Sequence, residues 1–135
     1  MSEIGLWNMI NRFWLLIVRA ALCLNLLSIA YFAVVNGGPI VNGDINDKTA
    51  HIGAFYMSGL LADFAFPRSY FGLNKILPLL GYGLLIEIVQ FFIHYRDACI
   101  LDLLADASGL ALYALTFLIL MRTPFIGWRW TTVRD

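Results

Sequence analysis

Eight side chains in three short runs could do chemistry together: Asp47, Lys48 and His51; Glu87 and Gln90; then Arg96, Asp102 and Asp106. An imidazole beside carboxylates suits general acid–base work, with the carboxylate tuning the ring. Lysine and arginine suit phosphate, which arginine can bind through two parallel hydrogen bonds. Carboxylates with an imidazole could also hold a divalent metal such as Zn or Mn, although no ligand spacing here is diagnostic. No Ser or Cys stands out as an activated nucleophile. Cys23 lies in an apolar run and Cys99 in a short turn, and two cysteines make neither a metal pattern nor a disulfide framework.

Helical spacing aligns these groups. Asp47 and His51 are four apart. Glu87, Gln90 and His94 step by three and four, and Asp102, Asp106 and Gly109 by four and three. Each set makes one stripe on a helix.

The elements that must carry the stripes are apolar. Of 135 residues, 61% are hydrophobic and 13% charged, and mean hydropathy is +0.78. Ordinary soluble domains carry about 25% charged residues, and a soluble fold could not cover this much apolar surface. The net charge of zero gives no reason to expect a nucleic-acid partner. One all-α domain over 1–135 is expected, with the lipid bilayer as its solvent. A spanning helix takes roughly 20 mostly apolar residues, and four candidates run over about 13–35, 48–66, 76–94 and 100–121. The Gly/Asn/Pro/Asp-rich stretch over 36–47 reads as a loop, Pro67 stops the second span, and Pro78 falls in the first turn of the third, where proline is tolerated. The first apolar stretch exceeds the usual core of a cleaved signal peptide, about 7–15 residues.

Four spans put both termini on one side. Arg12, Arg68, Lys75, Arg122, Arg129 and Arg134 fall on that side, and only Lys48 and Arg96 on the other. The positive-inside rule makes the first side cytoplasmic, and Trp7, Trp14, Trp128 and Trp130 flank the same helix ends. The expected setting is multi-pass in a bacterial cytoplasmic membrane. All eight chemical residues then gather towards the outer face. Glu87, about 10 Å from the end of the third helix, and Asp106, about 9 Å inside the fourth, are expected level in depth.

An acidic side chain at the centre of a membrane helix costs about 2.5–3.5 kcal/mol. Such stripes must face one another or a wet cavity. Interhelical glue, worth about 0.6–2 kcal/mol per hydrogen bond, or snorkelling accounts for Arg19, Asn25 and Asp63. Asp97 reads as a solvated turn residue and His94 as an interfacial one. Glue rarely concentrates so many ionisable groups at one end, so the outer set reads as a functional site.

At these residues the chain resembles a known family. Asp47-Lys48-Thr49-Ala50-His51 followed by Tyr56, then Glu87-Ile88-Val89-Gln90, then Arg96 and Asp102-Leu103-Leu104-Ala105-Asp106 with Gly109, look like the signature of VanZ-like membrane proteins. The likeness covers about 46–115 and has three parts in the expected order. It implies a small polytopic membrane protein related to a teicoplanin-resistance factor, with Tyr56 added to the site. Asp106 departs from the pattern, since many relatives have Asn there; an extra carboxylate would alter metal affinity or local protonation.

The expectation is an outward-facing pocket that handles a phospholipid or lipid-linked headgroup, such as a cell-wall precursor in the outer leaflet. Lys48 and Arg96 would neutralise phosphate, and His51 would act as acid or base. Glu87 and Asp102 would orient the cations or hold a divalent metal. Asp47, Tyr56, Gln90 and Asp106 would line the pocket. A non-enzymatic accessory or structural subunit and an ion- or proton-coupled transporter component are the alternatives. Transport lacks a path, because only Asp63, Asn25 and Arg19 are polar in the inner half.

Overall fold

The computed structural model describes residues 3–35, 44–94 and 99–124. They form four helices: α1, Glu3–Val34; α2, Asp44–Ala65; α3, Leu73–Phe91; α4, Ile100–Leu120. Three carry stretches long and apolar enough to cross a membrane, Asn11–Val34, Leu73–Phe91 and Ile100–Leu120. At 1.5 Å per residue the 22 residues of α2 extend about 33 Å, but α2 is not among the three. The rest of the expected belt, Trp7, Trp128 and Trp130, lies outside the described side chains, whereas Trp14 is exposed on α1.

Both limits of α3 differ from expectation. α3 begins at Leu73, so Pro78 falls in its second turn, where the missing N–H removes a helical hydrogen bond. α3 also ends at Phe91 rather than His94. There Phe92 N–H donates to Val89 O at 3.1 Å and Ile93 N–H to Gln90 O at 2.9 Å, tight i→i−3 bonds that close the last turn. α1 starts at Glu3 and α2 at Asp44, both earlier than expected, so α2 takes in 44–47 from the expected loop and carries Asp47 on the same helix as His51; the other limits fall close to the expected ones.

α2 packs against all three other helices and most extensively against α4, while α1 meets α2 and α3 but not α4 among the described residues. The reason for the close α2–α4 approach is Gly109. A Cβ there would sit 2.4 Å from Ile52 O and 2.9 Å from Tyr56 N, so the helix α4 backbone lies directly on that of α2. Below this contact Phe55, Leu110 and Tyr113 are fully buried with Phe71 and Phe117. The Phe71 and Tyr113 rings meet edge to face at 4.7 Å. The outside is apolar instead: Phe13, Leu24 and Leu27 on α1, Leu84 and Ile88 on α3, and Leu104, Leu115 and Ile119 on α4 are exposed. Such a surface suits lipid rather than water.

Candidate functional site

The N-terminal turns of α2 and α4 bring five of the expected residues together. His51 Nδ1 lies 2.8 Å from Asp106 Oδ1. Asp106 is 1% exposed, and its second oxygen lies against α3, where a Cβ on Gly83 would come within 2.5 Å of it. The absent side chain of Gly83 therefore makes the space in which this carboxylate sits between three helices. An ionised carboxylate only accepts, so it selects the His51 tautomer with the proton on Nδ1 and leaves Nε2 with a lone pair.

One turn outward, Lys48 Nζ is 3.9 Å from Asp102 Oδ1. The Lys48 side chain keeps 34% of its exposure and Asp102 only 7%, so the ammonium stands at the mouth and the carboxylate inside. Asp47, His51 and Asp102 each bring a potential metal-ligand atom within 4.8 Å of the other two.

Glu87 enters from α3. Its Oε2 accepts the Cys99 N–H at 3.0 Å, which satisfies an amide at the start of α4 where the helix dipole favours negative charge. Its Oε1 is buried with no hydrogen-bond partner among the described residues. Because α3 ends at Phe91, Glu87 is only about 6 Å from its helix end, against about 9 Å for Asp106. The two carboxylates are not level, as the spacing suggested. Glu87 sits at the α4 N-terminus, and Asp106 lies a turn deeper, opposite Gly83.

Other expected residues stand apart. Gln90 turns to α1, donating from Nε2 to Ala33 O at 3.1 Å, with its Oε1 buried and unpartnered. The Tyr56 hydroxyl donates to Thr116 Oγ1 at 3.2 Å. Thr116 lies ten residues beyond Asp106 along α4, about 15 Å deeper, so the Tyr56 hydroxyl is not at the site. Arg96 and Asp97 fall outside the described residues, and His94 is an exposed residue of the turn after α3.

A second polar group at the opposite end was not foreseen as a unit. Lys75 Nζ donates to Asp63 Oδ1 at 2.7 Å and to Ser69 O at 2.7 Å, and Tyr113 OH donates to Asp63 Oδ2 at 2.9 Å. Asp63 is 0% and Lys75 6% exposed. Lys75 is thus a buried partner and not a loop cation. The only signal was two opposite charges flanking the turn at Pro67. Arg19, expected to snorkel, donates from Nε to Ala65 O at 3.2 Å and lies over the Phe66 ring, capping the C-terminus of α2. Asn25 acts as interhelical glue, donating to Ser58 Oγ at 2.8 Å.

No known protein family, curated protein or solved structure matches the chain.

Proposed function

We propose that the chain is a four-span, VanZ-like protein of the bacterial cytoplasmic membrane, with both termini cytoplasmic. On this reading its outer polar site binds a phospholipid or lipid-linked headgroup. The apolar exterior and three membrane-length helices support the membrane setting. α2 joins as the fourth span because its inner charge, Asp63, is neutralised by Lys75, and its others cluster at the opposite end.

The observation that carries the functional reading is the buried His51–Asp106 pair directly behind the half-exposed Lys48. Lys48 meets a headgroup phosphate at the mouth. His51, oriented by Asp106, presents Nε2 as base to a water or hydroxyl of that headgroup. Binding and hydrolysis use the same arrangement, and the outward orientation fits a role in envelope defence against glycopeptides. The transport reading gains little support. Phe55, Leu110 and Tyr113 fill the layer between His51 and Asp63 with packed rings and aliphatic carbon.

The test is complementation of a strain lacking the protein. The doubly substituted His51→Ala/Glu87→Ala chain, present in the membrane at wild-type level, should fail to restore wild-type glycopeptide resistance and lipid profile. Wild-type behaviour of that variant would sink the reading.

A further inference from the structure

We infer that Asp47, His51 and Asp102, with Glu87 beside them, form a binding site for one divalent first-row transition-metal ion. Three independent features converge on it. The first is distance: the three ligand atoms lie within 4.8 Å of one another. Donors bound at 2.0–2.2 Å in a tetrahedral site stand roughly 3.3–3.6 Å apart, so side-chain rotations of about an ångström close the set. Asp47 and His51 share one face of α2, four residues apart, and Asp102 faces them from the first turn of α4.

The second feature is the orientation of the imidazole. Metal-ligating histidines commonly donate their other ring N–H to a carboxylate, which fixes the ring and raises its basicity. Asp106 stands in that position on Nδ1 at 2.8 Å, held in the space left by Gly83. The Asp106 carboxylate that departs from the family pattern thus acts as a positioning residue for the ligand nitrogen.

The third is Glu87. It is 92% buried, and its Oε1 has no hydrogen-bond partner among the described residues. Its other oxygen is fixed on Cys99 N–H, three residues before Asp102, and the charges of Asp102, His51 and Asp106 all act on it. A buried carboxylate oxygen without a donor is costly unless a cation meets it. A divalent ion held by Asp47, His51 and Asp102 would be that cation. The donor set, one imidazole nitrogen with carboxylate oxygens, selects Zn or Mn over Ca or Mg, which prefer all-oxygen cages.

The ion takes the Nε2 lone pair that the headgroup reading uses as a base, so with metal bound His51 is a ligand and not a base; the metal site itself stands on these side chains whether or not a headgroup binds. The full chain, purified without a polyhistidine tag into nanodiscs, is stripped with a chelator and reloaded with Zn2+ or Mn2+. Retained metal is then read by inductively coupled plasma mass spectrometry. Wild type should retain about one equivalent, as a single four-ligand site would. Asp47→Asn and His51→Ala should fall to the chelated background. Asp106→Asn should weaken affinity about 10–100-fold without abolishing it. Asp47, half-buried at the mouth, is the variant least able to disturb folding, and circular dichroism of each sample checks helicity. Wild-type retention no higher than Asp47→Asn would overturn the proposal. Lipid retained by the same samples separates the two readings. Metal without lipid upholds this site and contradicts the headgroup reading, and lipid without metal does the reverse.

Discussion

His51 on α2 and Asp106 on α4 are joined at 2.8 Å in a space that exists because residue 83 on α3 has no side chain. Three helices thus converge on one proton. The pair is fifty-five residues apart in sequence, so it ties the fold together as well as orienting the imidazole.

Removing the acceptor should therefore be felt in stability. Asp106→Ala leaves the His51 N–H buried without a partner and should destabilise by about 1–3 kcal/mol. Asp106→Asn keeps an acceptor oxygen and should lose less. Thermal unfolding in detergent, followed by circular dichroism, gives the order wild type, Asn, Ala.

The two close-approach glycines should respond differently to one added methyl. At Gly109 the new Cβ meets backbone of α2, Ile52 O and Tyr56 N, which cannot rotate away. At Gly83 it meets the Asp106 carboxylate and the Phe55 ring, both side chains. Overpacking costs typically about 1–3 kcal/mol, so Gly109→Ala should fall at the upper end or beyond and Gly83→Ala lower. Gly83→Ala should still impair the site more than its stability loss explains, because it displaces Asp106. Unfolding midpoints set beside headgroup binding for the two variants check both statements.

The inner ion pair should show strong non-additivity. Lys75→Met alone leaves Asp63 buried with only the Tyr113 hydroxyl, and breaking a buried pair this way costs about 3–5 kcal/mol. Asp63→Leu/Lys75→Met removes both charges and should recover much of that loss. A double-mutant cycle on unfolding free energy measures the coupling; simple additivity would show that the pair contributes nothing as a pair.

Much of this arrangement was legible in the residues. The stripe of Asp102, Asp106 and Gly109 on α4 and the Asp47–His51 step on α2 state which faces meet, because polar groups and a glycine have no reason to face lipid. The depth of Glu87 was not legible. It depended on where α3 stops, and Phe92, Ile93 and His94 continue an apolar pattern while their backbone turns out of the helix. Lys75 was misread for a related reason: a lysine after a Pro/Arg/Ser/Gly-rich turn looks solvated until helix α3 is known to start at Leu73 and carry it inward. Gly83 gave no warning, since its role is to be empty opposite a side chain on another helix. Tyr56 belonged to the family-like pattern, but pattern membership says nothing of where the hydroxyl reaches.

Glu87 offers a check confined to the mouth of the site. Glu87→Gln keeps an acceptor for Cys99 N–H, whereas Glu87→Leu leaves that amide unpaired at about 1–3 kcal/mol. The leucine variant should fray the start of α4, visible as faster hydrogen exchange over 99–103, and the glutamine variant should not.

The central claim is that the outer site holds a lipid headgroup, and native mass spectrometry of the gently extracted chain tests it most directly. Wild type should carry a phospholipid or lipid-linked adduct that survives mild activation, and the Lys48→Ala/His51→Ala chain should be released without it. A wild-type chain that emerges bare, or adducts equally abundant in both, would contradict the claim.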